Sequence, residues 1–178
     1  MANGEMTMRA RLVGLARKII EWWALAGGLL LLAVVLMTTW SVFSSAAFGE
    51  PFPGDFELTE IGVAVAAFSF LPYCQITNSN VSADIFTSRA GPRIVAALTA
   101  LGSLIAIGFG GILLWRMYAG MIDYQVYLET TAILQIPLWY GFVPILVSLA
   151  LLCVAALITL TESLGDVAAP PVDGTASS

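Results

Sequence analysis

The sequence predicts an all-α integral membrane protein. It has four transmembrane helices with both termini inside, an N-terminal amphipathic interfacial helix and a short inner connector helix. Two observations predict the class. Four apolar stretches fill most of the 178 residues, and they hold almost no charge. The whole chain is 59% hydrophobic and only 11% charged, with a mean hydropathy of +0.91. A hydrocarbon core of about 30 Å takes about 20 helical residues at about 1.5 Å rise each, and irregular backbone facing lipid would leave peptide groups unpaired. A third observation, the placement of Lys and Arg, gives the orientation.

Residues 1–21 are expected to form an amphipathic cytoplasmic segment lying on the membrane surface, with a continuous, frayed extension of helix one as the alternative. Met8, Leu12, Leu15, Ala16, Ile19 and Ile20 recur at helical spacing, while Arg11, Arg17 and Lys18 take the other face. With Arg9, these basic residues suit the anionic inner surface of a membrane, so lipids are one expected partner. Residues 22–160 form the transmembrane domain. Its first helix is expected over Trp22 to Phe43. A cleaved signal peptide is the rival reading there, because Ser44 to Ala47 are small; the apolar run is too long for a signal core and contains Trp40, so the helix is expected to stay.

The second helix is expected over Leu58 to Ile76, with Pro72 bending it. In the connector that follows, Asn80 suits a helix cap, Asp84 an early turn, and Val81, Ile85 and Phe86 an apolar side before Gly91-Pro92. The third helix is expected over Ile94 to Tyr118 and the fourth over Ile136 to Leu160. Residues 161–178 form a cytoplasmic tail. From Asp166 onward its Ala, Pro, Gly, Ser and acidic composition reads as disordered.

Lys and Arg stay preferentially on the cytoplasmic side of short loops. Arg9, Arg11, Arg17 and Lys18 precede helix one, Arg89 and Arg93 lie between helices two and three, and the stretches Gly49 to Glu57 and Ala119 to Gln135 hold neither residue type. Both termini are therefore expected inside. The remaining basic residue, Arg116, falls near the outer end of helix three.

Several function classes are disfavoured. The chain has no histidine, which removes bis-histidine haem ligation, histidine metal sites and imidazole base catalysis. Cys74 and Cys153 form no C-x-x-C pair. No phosphate loop, nucleophile elbow or basic nucleic-acid stripe occurs. No enzyme activity, cofactor, metal or nucleic-acid partner is expected. Nor do the spans hold a mid-membrane Asp or Glu of the kind a transporter uses to bind its cargo. A subunit of a larger assembly is the better reading. A self-assembling small exporter is the alternative, and it would be favoured by a carboxylate in helix one, which Trp22 to Phe43 lacks.

Small side chains let helices approach closely in lipid. Helix three offers Gly102, Ala106 and Gly110, and helix two offers Gly62, Ala66 and Ser69. These are candidates for packing against a partner, or within the chain. Glu60 opens helix two and Arg116 closes helix three, so antiparallel geometry brings them to matched depth, to pair with each other or with charges on a partner; the alternative is two side chains that snorkel independently to the membrane surface.

The runs Gly54-Asp55-Phe56-Glu57-Leu58-Thr59-Glu60, Phe70-Leu71-Pro72-Tyr73 and Asn80-Val81-Ser82-Ala83-Asp84 resemble the small membrane subunit of tripartite ATP-independent periplasmic (TRAP) transporters. The likeness covers about residues 20 to 160, with its sharper motifs between about 54 and 89. Of that family's Gly-His-x-Arg-x-Asp run only Asp84 is kept; Ser79, Asn80 and Ser82 stand at the Gly, His and Arg positions. Leu134-Gln135-Ile136-Pro137-Leu138-Trp139 looks like the family's approach to its last helix. The resemblance implies a bacterial inner membrane and two partners. One is a large permease subunit that moves as an elevator and holds the substrate and sodium sites; the other is a periplasmic solute-binding protein that delivers an organic anion, often a carboxylate. This chain would be a fixed, non-catalytic brace, with its acidic outer loops facing basic groups on the delivery protein.

Overall fold

The computed structural model describes residues 2–77 and 92–168, with side chains over 10–77 and 94–165. These residues form four helices: α1 (Ala2–Phe48), α2 (Asp55–Ile76), α3 (Pro92–Val126) and α4 (Trp139–Ala168). All four are long and apolar enough to cross a membrane. The expected inner connector helix, with Asp84 and Arg89, lies outside the described residues, as do the side chains of Arg9 and Arg93.

Several boundaries differ from the sequence reading. Helix α1 runs past Phe43 to Phe48, α2 starts at Asp55 rather than Leu58, and α4 starts at Trp139 rather than Ile136. The amphipathic start is not a separate element, because α1 runs unbroken for 47 residues, about 70 Å. No proline or cap separates Ile20 from Trp22, so nothing local ends the helix between its amphipathic and apolar parts. Helix α3 continues past Tyr118 to Val126, since Ala119 to Val126 also lacks a strong terminator, and the loop before α4 shrinks to residues 127–138. Helix α4 likewise passes Leu160 and reaches Ala168, which leaves residues 169–178 outside the described part.

Helix α4 is the shared element of the bundle: α1, α2 and α3 all pack on it, α2 also packs on α1, and α3 rests chiefly on α4. Two apolar clusters mark where the helices meet. Ile20, Ile76 and Ala155 join α1, α2 and α4. Ile145, Leu149 and Leu152 of α4 carry Ala64, Val65 and Phe68 from α2 and Leu113, Leu114 and Met117 from α3. Arg17 of α1 reaches Glu162 of α4 with two contacts of 2.9 Å, so both helices expose their chain-terminal ends on the same side. Helix α2 continues through the buried Pro72 to Ile76.

Candidate functional site

At the end of the bundle where α1 ends and α2 begins, short-range chemistry builds a clasp. The buried hydroxyl of Ser41 accepts a hydrogen bond from the Phe52 amide at 3.1 Å and donates to the Asp55 carboxylate at 2.5 Å. Asp55 also accepts from the Phe56 amide at 2.7 Å, and Asp55 and Glu57 lie in the first turn of α2, where the helix dipole favours negative charge. Gly54 caps this helix in the left-handed region, at φ 77°. A Cβ there would meet the side chain of Leu134, 2.6 Å from its Cδ1. The Glu57 carboxylate accepts from the amides of Ile133 at 2.6 Å and Leu134 at 3.1 Å.

The 127–138 loop is shaped to present those amides. Thr131 donates its amide to the Ile136 carbonyl at 2.9 Å, the Ile136 amide returns to the Thr131 hydroxyl at 3.0 Å, and the Leu138 amide donates to the Glu129 carbonyl at 3.1 Å. A single antiparallel bridge joins Thr130 to Pro137. Leu128 and Gln135 take left-handed backbone angles, φ 51° and 52°, which cost a branched or bulky residue energy and mark a constrained loop. The start of α2 and the approach to α4, two separate motifs in sequence, are thus one structural unit. Sequence reading placed Glu57 within a motif and did not foresee that it grips a loop 76 residues away.

Beside the clasp is a groove of about 590 Å³ lined by Phe56, Glu60, Phe68, Met117, Tyr124 and Phe142, among others. Tyr124 and Phe142 pack with ring centroids 5.1 Å apart. Glu60 is exposed on this groove, and among the described residues it has no hydrogen-bond or ionic partner. Arg116 does not pair with it. Met117 turns inward to the α4 cluster, so Arg116, about 100° further round α3, faces outward. Among the described residues the ion pair that forms is Arg17 with Glu162, at the opposite end, with both side chains nearly half exposed. Arg11 and Lys18 are exposed on α1.

The small residues divide between inside and outside. Gly62 admits Val34 of α1, whose Cγ2 would be 2.5 Å from a Cβ at that position. Ala66, next along the same face, is 1% exposed. Gly110 faces Cys153 and Leu152 of α4. Ala106 is half-buried, while Gly102 is exposed with nothing within 4 Å of where its Cβ would be.

Buried polar side chains act as ties between helices. The Trp23 indole donates to the Ser148 hydroxyl at 2.9 Å, and Ser148 donates on to the Pro144 carbonyl at 2.8 Å. The Gln75 amide of α2 reaches Ser103 of α3 at 3.4 Å, and the Thr159 hydroxyl of α4, which also bonds its own helix at the Ala155 carbonyl at 3.0 Å, reaches the Gln75 carbonyl at 3.5 Å. Among the described residues, no group of three His, Cys, Asp or Glu is placed to hold a metal ion.

The sequence also matches a known protein family. The family model described as "Tripartite ATP-independent periplasmic transporters, DctQ component" matches residues 34–165, about three quarters of the chain. The chain belongs to the DctQ family. The match takes in α2, the clasp, α3 and most of α4, and leaves out the basic first part of α1. The DctQ component is the small membrane subunit of TRAP systems, which work with a large permease, DctM, and a solute-binding protein. No curated protein and no solved structure matches this DctQ chain.

Proposed function

We propose that this DctQ chain is the non-catalytic small permease subunit of a sodium-coupled TRAP transporter in a bacterial inner membrane. It braces the large elevator-type permease and offers its outer loops to the periplasmic solute-binding protein during uptake of an organic anion such as a carboxylate. The family match is the observation that carries this reading. The chemistry of the bundle supports it, because the buried polar side chains among the described residues are hydroxyls and one amide, bonded to their own helix or loop or across to a neighbouring helix, whereas cargo and coupling-ion sites at membrane depth use ionisable groups or unwound helices. The basic start of α1, at the same end as the C-terminal end of α4, supports termini on the cytoplasmic side.

The test has two parts. Tagged chain is purified gently from native membranes and the co-purifying proteins are identified by mass spectrometry; a large polytopic permease in about equal amount is the expected result. Uptake of radiolabelled carboxylates is then measured in vesicles containing all three components, with and without a sodium gradient. Recovery of the chain alone as a homo-oligomer would favour a small exporter instead.

A further inference from the structure

Helix α3 is the least covered of the four spans: 11% of its apolar window is buried, against 22% for α1 and 33% each for α2 and α4. Its uncovered side is not uniform hydrocarbon. Gly108, Ile112 and Arg116 follow one another at four-residue steps on it, next to Phe109, Gly111 and Trp115. Ile112 is 64% exposed and Trp115 71%, and nothing lies within 4 Å of where a Cβ on Gly108 or Gly111 would be. Arg116 is exposed and makes no hydrogen bond or ion pair among the described residues.

The depth of Arg116 follows from its neighbour. Met117 packs against the Ile145 cluster of α4. Ile145 lies six residues inside the Trp139 start of that helix, so about 9 Å below it. Side chains of a helix leave the backbone tilted toward its N-terminus, so the stem of Arg116 starts away from the nearer membrane surface, and reaching that surface means doubling back. A cation at such a depth is costly in lipid and ordinarily finds a partner. Glycines in a helix facing only lipid weaken it and gain nothing, whereas they let a second backbone approach closely.

We infer that this face of α3 is the docking surface for a transmembrane helix of the large permease, and that this helix carries an Asp or Glu at the level of Arg116. The inference rests on the subunit reading above and adds to it the face and the charge that the partner must bear. The guanidinium supplies a planar fork of donors that a carboxylate matches. The open glycines at positions 108 and 111 bring the two backbones near enough for that pair to form.

The experiment uses the chain co-expressed with its permease in native membranes. A photo-crosslinking amino acid replaces Ile112 in the otherwise unaltered chain, and in separate samples Arg116→Lys, Arg116→Met and Arg116→Glu are purified through a tag. The expected results are an Ile112 adduct with the permease, permease recovery retained by Arg116→Lys, and recovery reduced about tenfold or more by Arg116→Glu. Changing the carboxylate of the crosslinked helix to Lys restores recovery with Arg116→Glu. Full recovery with both Arg116→Met and Arg116→Glu, or an Ile112 adduct with phospholipid alone, would overturn the inference while leaving the subunit reading intact. If the unaltered chain recovers no permease, both fall together. The Ile112 probe decides the matter even if a charge variant fails to insert.

Discussion

Gly54→Ala tests the clasp most directly, because the structure assigns two separable costs to one methyl group. Gly54 has φ 77°, and an L-residue held in that left-handed region costs about 1–2 kcal/mol. The new Cβ would also meet Leu134, 2.6 Å from its Cδ1, and forcing a side chain out of a packed position costs about 1–3 kcal/mol. The sum is about 2–5 kcal/mol. Leu134→Ala alone removes a half-buried side chain and should cost about 1–2 kcal/mol. The double variant keeps the backbone cost and loses the collision, so the two substitutions together should destabilise by about 1–3 kcal/mol less than the sum of the single effects. The assay is unfolding of the purified subunit in detergent, followed by tryptophan fluorescence. Strict additivity would refute the collision, and Gly54→Ala with unchanged stability would refute the whole account of the turn.

Other substitutions probe the remaining ties. Glu57→Gln should speed hydrogen exchange at the Ile133 and Leu134 amides, which lose a charged acceptor, while exchange in the middle of α2 stays unchanged. Ser148→Ala should leave the Trp23 indole without its acceptor, destabilise by about 1 kcal/mol and shift Trp23 fluorescence. Arg17→Ala should cost less than about 1 kcal/mol and less still in high salt, because its partner Glu162 is nearly half exposed. A salt-independent loss would show that the ion pair is shielded by something outside this chain.

The two motifs that resembled the family, one opening α2 and one leading into α4, were legible as strings, and their meeting was not. A carboxylate at Glu57 reads locally as a helix-start residue; its role in holding the Ile133 and Leu134 amides depends on a loop that returns only after α3. Glu60 and Arg116 share a rough depth in sequence, but depth alone does not give rotation. Arg116 faces out from α3 because Met117 beside it faces α4. The glycines behaved likewise: Gly62 and Gly110 meet side chains of this chain, whereas Gly102, Gly108 and Gly111 meet none.

The sequence by itself determined the class, the number of membrane-length helices and the basic N-terminal stretch, since apolar length and charge are local properties that a bilayer reads segment by segment. Only the tertiary structure decided that α4 is the helix the others share, and which charges and small residues are matched within the chain. The physical reason is that these spans are apolar nearly all round. In lipid, hydropathy does not select one face of such a helix over another, so rotation and neighbour order come from the close fit of particular side chains.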